Sequence, residues 1–163
     1  MATLVVGISD LKIAKPPDTL VTYALGSCVG ICLLDPVSRV AGLSHIMLPT
    51  QSVAPGDKNI MKFADSAIPE LVRKMEQQGA ARSRMKAKIA GGAQMFGSAN
   101  DANSNPMWQI GQRNVTSVTD VLRRLAIPIM AQDVLANYGR TVSFDPASGI
   151  MSVRSLNKTS KEL

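Results

Sequence analysis

The sequence predicts a single mixed α/β domain in which much of the strand pairing is antiparallel. Three observations lead there. A chain of 163 residues has the length of one domain, and 45% hydrophobic residues supply a core. Short β-prone runs surround two stretches of helical spacing. Two Asp-Pro turn signals, Asp35-Pro36 and Asp145-Pro146, each separate a pair of such runs as a hairpin does.

The elements follow in order. Residues 3–8 (TLVVGI) form the first strand. Asp18 to Tyr23 leads into Ala24-Leu-Gly-Ser-Cys28, and residues 29–34 (VGICLL) form an apolar β-prone run. The returning strand runs from Val40 to Leu48, where Pro49 ends it. Between Asn59 and Gln78, Ile60, Phe63, Ala64, Ala67, Ile68, Leu71, Val72 and Met75 recur at three and four. Pro69 inside that pattern is expected to kink or split the helix, and Gly79 to stop it. Residues 85–90 alternate as a strand and run into Gly91-Gly92, while the small polar residues 97–109 read as a loop. Asn114 is the expected N-cap of a helix through Leu125, with Val118, Val121, Leu122 and Leu125 as its buried stripe. A short strand over 127–132 and a second hairpin over 139–144 and 150–154 complete a domain of residues 1–155. The stretch 156–163 reads as a frayed basic tail.

Composition narrows the function classes. The net charge of +6 favours encounter with acidic partners, either nucleic acid or an acidic protein surface. Aromatics at 4% supply few platforms for base stacking, and no nucleic-acid-binding motif is present, so nucleic acid ranks last among the partners. No apolar run is long enough to span a bilayer, and the N-terminal residues lack the three-part pattern of a secretory leader. A cytoplasmic location and no membrane insertion are therefore expected. Cys28, Cys32 and His45 are too few for a four-ligand zinc site, so no metal is expected. In a strand, Cys28 and Cys32 lie about 13 Å apart, too far for a disulfide.

Chemistry concentrates at the first hairpin. With the turn centred between Pro36 and Val37, Cys28 falls directly opposite His45 on the same face. A slip of one residue would put them on opposite faces. A thiol near pKa 8.5 is mostly protonated at neutral pH, and an adjacent imidazole can take its proton and later return it to a leaving amine. Backbone N–H groups of Gly26, Ser27 and Cys28 could hold an oxyanion. Cysteine is also among the most buried residue types, and a lone histidine in an apolar strand is more often packed than catalytic. Spacing alone leaves both readings open. Cys32, between Ile31 and Leu33, reads as core. Gly91 and Gly92 read either as a close approach for substrate or as a plain loop.

Five blocks of this chain resemble the CheD family of chemoreceptor glutamine deamidases. They are Leu25-Gly-Ser-Cys-Val29, Gly42-Leu-Ser-His-Ile-Met-Leu-Pro49, Lys88-Ile-Ala-Gly-Gly-Ala-Gln-Met-Phe96, Ile110-Gly-Gln-Arg-Asn114 and Gly139-Arg-Thr-Val-Ser-Phe144. The resemblance implies a largely antiparallel β sandwich with helices, related to deamidating toxins. It implies hydrolysis of receptor glutamines to glutamate; acyl transfer through a Cys28 thioester would need no cofactor, and the same machinery could cleave a glutamate methyl ester. It matches the family's catalytic Cys, His and Thr to Cys28, His45 and Thr22; from the residues alone, Thr22 is a β-branched strand residue. The implied partners are chemoreceptor cytoplasmic domains and, in some members, a CheC-type phosphatase, toward which the protein could also act as a non-catalytic regulator. One departure stands out: Leu135 and Ala136 replace the family's paired glycines, so a different local turn is expected there.

Overall fold

The computed structural model describes residues 1–94, 109–156 and 159–163. The expected loop over 97–109 lies outside the described residues except at its last position.

Two five-stranded sheets stack face to face, and two helices cover the outer face of one of them. The strands are β1 (Thr3–Val5), β2 (Asp10–Ala14), β3 (Thr19–Leu25), β4 (Val29–Leu34), β5 (Ala41–Ile46), β6 (Lys86–Gly91), β7 (Ile129–Val134), β8 (Arg140–Phe144), β9 (Met151–Ser155) and β10 (Ser160–Glu162). The helices are α1 (Ala64–Gln77) and α2 (Ile110–Arg124). The first sheet has the order β1-β3-β8-β9-β10 and the second β2-β5-β4-β6-β7. β1 and β3 run parallel, as do β6 and β7; the other pairings are antiparallel. The mixed, largely antiparallel sandwich expected from the sequence is therefore the fold observed. Among the described residues no helix is long and apolar enough to cross a membrane.

This layering explains the apolar run of β4. Val29, Ile31 and Leu33 face the helices, in one core with Ile68, Leu71 and Met75 of α1 and Val118 and Leu122 of α2. Cys32 faces the other way, into the core between the sheets, with Leu43, Leu20, Val142 and Phe144. A strand buried on both faces has no polar side to show, so its sequence does not alternate. β8 and β9 have one outward face and do alternate.

Four local expectations are corrected. The helical pattern from Asn59 divides at Phe63 rather than at Pro69: a short 3-10 turn spans Ile60–Lys62, and α1 then runs through Pro69. Gly79 ends α1 as expected, at φ +104°, with Gly79 N–H on Glu76 O and Ala80 N–H on Met75 O. α2 begins four residues before Asn114, so Asn114 is a buried residue inside the helix and not its cap. The tail is not wholly frayed, because β10 adds to the edge of β9, and Leu163 exchanges two backbone hydrogen bonds with Met151.

The fourth correction concerns Leu135 and Ala136. Both adopt the left-handed conformation, at φ +66° and +62°, the region glycine enters freely. Three hydrogen bonds hold the turn: Leu135 N–H to Gly91 O at 2.9 Å, Gln94 N–H to Ala136 O at 2.8 Å, and the buried Arg140 guanidinium to Leu135 O at 2.9 Å. The turn keeps a glycine-type backbone at a cost of roughly 1–2 kcal/mol per residue. Ala136→Gly relieves that strain and loses only a methyl group, offset in part by the entropy of an unfolded glycine. We expect a net gain of about 0.5–1 kcal/mol, a rise of roughly 1–4 °C in Tm by calorimetry. A lowered Tm would show that the turn is not strained.

Candidate active site

The chain crosses from the first sheet to the second between β3 and β4. A register shift between Thr22 and Leu25 against β8, with Ala24 at φ +58°, turns it there. Thr22 stays on the first sheet facing inward, and Cys28 stands at the mouth of β4 in the second.

The turn of the first hairpin places His45 differently from expectation. Asp35 N–H donates to Val40 O and Arg39 N–H to Asp35 O, closing a four-residue loop with Arg39 at φ +63°. The Asp35 carboxylate accepts from the N–H groups of Val37 and Ala81 and from Arg84. Burial raises its pKa, but these bonds outweigh burial and hold it well below the usual carboxylate range. The loop centre is thereby moved by one residue, and His45 pairs with Gly30 rather than Cys28. The register shift is two, an even number, so Cys28 and His45 still share a face, now as diagonal neighbours. Such neighbours lie about 7–8 Å apart along the backbone, within side-chain reach. Gly30 between them has no side chain; a Cβ there would lie 3.2 Å from Leu25 and 3.7 Å from Thr22.

His45 and Thr22 are both fully buried, and they meet across the two sheets. Thr22 Oγ1 lies 2.7 Å from His45 Nδ1 and also 2.7 Å from the Val6 carbonyl oxygen. A carbonyl only accepts, so the single hydroxyl proton of Thr22 goes to Val6. The hydroxyl must then accept from His45 Nδ1–H. This relay fixes the tautomer: Nε2 carries the lone pair, and among the described residues it has no hydrogen-bond partner. Burial pulls the His45 pKa down to about 4, so the ring is neutral at neutral pH. Cys28 is half-buried; burial raises its thiol pKa, and its own backbone N–H opposes that rise. The resting pair is therefore a neutral thiol and a neutral imidazole. Cys32 is fully buried, its pKa pushed up by burial, and sits in the core as expected.

The carbonyls around Cys28 are tied down one by one. Gly26 O accepts from Ala93 N–H at 2.9 Å and Cys28 O from Gly92 N–H at 2.8 Å. Ser27 O accepts from the Asn114 side chain at 2.9 Å. In a trans peptide the C=O and the following N–H point in opposite directions. The N–H groups of Ser27 and Cys28 are thus aimed away from these anchors. Gly91 and Gly92, at φ +112° and +70°, are pressed against the protein itself: a Cβ on Gly91 would lie 2.2 Å from Cys28 O. They brace the Cys28 peptide, and the space expected there for substrate is filled by the Cys28 carbonyl.

The site thus joins Thr22 directly to His45 and sets Cys28 on the same face as a diagonal neighbour, with Gly26, Ser27, Gly91 and Gly92 forming its frame. Two participants escaped the sequence reading. The Val6 carbonyl has no side-chain signature. Asn114 did leave a trace, since it falls four residues before Val118 on the apolar stripe of α2, where a polar residue is out of place. Among the described residues no cluster of three or more His, Cys, Asp or Glu could hold a metal.

Comparisons with known proteins identify the family. Residues 47–155 match the family model described as CheD chemotactic sensory transduction. The "Chemoreceptor glutamine deamidase CheD" of Halalkalibacterium halodurans is 46% identical over 159 residues, covering 97% of this chain and 96% of its own. The "Probable chemoreceptor glutamine deamidase CheD" of Lachnoclostridium phytofermentans is 47% identical over 158 residues, with the same coverage of 97% and 96%. Among solved structures, the Neisseria meningitidis protein NMB0706, of family DUF152, superposes with a TM-score of 0.51 at 8% identity. That match covers 82% of this chain but 64% of the other, and it supports the fold alone. With the family model matched over more than half the chain and curated relatives nearly half identical end to end, the chain belongs to the CheD family.

Proposed function

We propose that this protein deamidates glutamine side chains of chemoreceptor cytoplasmic domains to glutamate, with Cys28 as nucleophile and His45 as its base. The observation that carries this reading is the relay from His45 Nδ1–H through Thr22 to Val6 O, which leaves Nε2 a base on the face that Cys28 shares. The substrate class comes from the names of the relatives.

The reaction runs in two halves. His45 Nε2 takes the Cys28 proton as Sγ attacks the carboxamide carbon. The oxyanion is held by backbone N–H groups between Gly26 and Cys28. The imidazolium gives its proton to the departing nitrogen, ammonia leaves, and a thioester remains. His45 then deprotonates a water that attacks the thioester, and its proton returns to Cys28 as glutamate is released. The net reaction consumes one water and yields one ammonia. A glutamate methyl ester passes through the same thioester with methanol as leaving group, so ester hydrolysis is expected from the same side chains. The excess of positive charge favours approach to an acidic receptor surface, and the receptors' cytoplasmic domains place the protein in the cytoplasm.

The test is mass spectrometry of a receptor cytoplasmic fragment incubated with the full chain. Conversion of specific glutamines to glutamate is expected. A folded preparation that converts none, across several receptors, would sink the proposal and favour a non-catalytic regulator of a CheC-type phosphatase.

A further inference from the structure

Asn114 holds two loops at once. Its Nδ2 donates to Ser27 O at 2.9 Å and to Met47 O at 2.9 Å, which uses both of its hydrogens. Ser27 immediately precedes Cys28, and Met47 follows His45 by two residues. The side chain is fully buried, and its Oδ1 has no hydrogen-bond partner among the described residues. A buried amide with half its polar capacity unmet is a poor choice for stability alone, particularly on the apolar stripe of α2. Both partners are carbonyls, so only a two-proton donor fits between them; the carboxylate of aspartate would be repelled by both.

Ser27 O and Cys28 N–H belong to one planar peptide unit. Holding the carbonyl toward α2 aims the N–H the opposite way, away from α2. We infer that Asn114 is a positioning residue that fixes the Ser27–Cys28 peptide, so that Cys28 N–H is set in advance as the oxyanion donor. The second hydrogen, on Met47 O, keeps the strand that carries His45 in step with it. This inference rests on the proposed cysteine chemistry.

The experiment compares the parent with Asn114→Leu, Asn114→Ala and Cys28→Ala on the receptor fragment, and measures alkylation of Cys28 by iodoacetamide. Alkylation needs the thiol but no oxyanion donor. For both Asn114 variants kcat should fall by roughly 10²–10³-fold, the loss typical of a misplaced oxyanion donor. KM should stay within about twofold and alkylation within about threefold of the parent on the same grounds, and Asn114→Leu should melt no lower than Asn114→Ala. An unchanged kcat overturns the inference, as does a kcat that falls in step with alkylation. If neither variant folds, the parent decides: the Cys28 amide proton should move downfield in the NMR spectrum when a small aldehyde forms a hemithioacetal on Sγ, and an unmoved resonance overturns the inference. Cys28→Ala separates the two levels. If it still deamidates, the cysteine chemistry itself is wrong; if it is inactive while the Asn114 variants match the parent, only the role of Asn114 fails.

Discussion

Cys28→Ala should fold like the parent and lose deamidation by roughly 10⁵-fold or more, the scale seen when a nucleophile is removed from a catalytic set. The substitution removes one sulfur from a half-buried position at the mouth of β4, so little packing is lost. Chemically, everything is lost. The neutral imidazole beside it has no thiol to deprotonate, and no thioester can form. Cys28→Ser keeps nearly the same shape, yet a hydroxyl is a far weaker acid than a thiol, and a base held near pKa 4 is a weak partner for it. Both variants should be inactive at unchanged Tm. Hydroxylamine added to the parent reaction should divert product to the hydroxamate, because it attacks the thioester in place of water and frees the thiol. A Cys28→Ala protein that still converted glutamine would overturn the mechanism.

His45→Asn should lower kcat by roughly 10⁴-fold, since in the proposed mechanism the same group acts twice as base and twice as acid in one turnover. The parent predicts the pH profile. Burial favours the neutral ring and brings the His45 pKa from 6.5 down to about 4. The base form therefore persists through pH 5–6, and the acid limb of kcat/KM should sit near 4, not near 6.5. Stability follows the same linkage. The unfolded chain binds a proton on His45 below pH 6.5, while the folded chain resists until about pH 4, so stability falls as the pH drops between those values. The loss attributable to this group is on the order of 3 kcal/mol. Urea titrations at pH 7 and pH 4.5 should show a smaller difference for His45→Asn than for the parent. An acid limb near 6.5 would mean that the ring is not held as the Thr22 contact and its burial require.

The sequence by itself determined the β-prone runs, the two hairpins, the helical stripes and the pairing of faces. Side-chain direction alternates with period two, so Cys28 and His45 stay on one face for any even register shift. That parity makes the pair legible even though the turn centre lies one residue beyond the midpoint of Pro36 and Val37. The family resemblance added Thr22, upstream of the first of the five blocks, which the residues alone present as an ordinary strand position. Tertiary structure decided the rest. Asp35 is buried against Arg84 and Ala81, partners more than forty residues away, and that contact set the turn. Thr22 reaches His45 only because one sheet stacks on another, and no local pattern encodes a contact between layers. Asn114 reads as a helix cap until α2 is seen to begin at Ile110 and to lay that residue against the loop that precedes Cys28. Leu135 and Ala136 read as a changed turn until Arg140, Gly91 and Gln94 hold them in the glycine conformation. For Asp35, Thr22 and Asn114 the deciding energy is a hydrogen bond to a buried group from a segment far away in the chain, where an unmet polar group costs more than a local preference can supply.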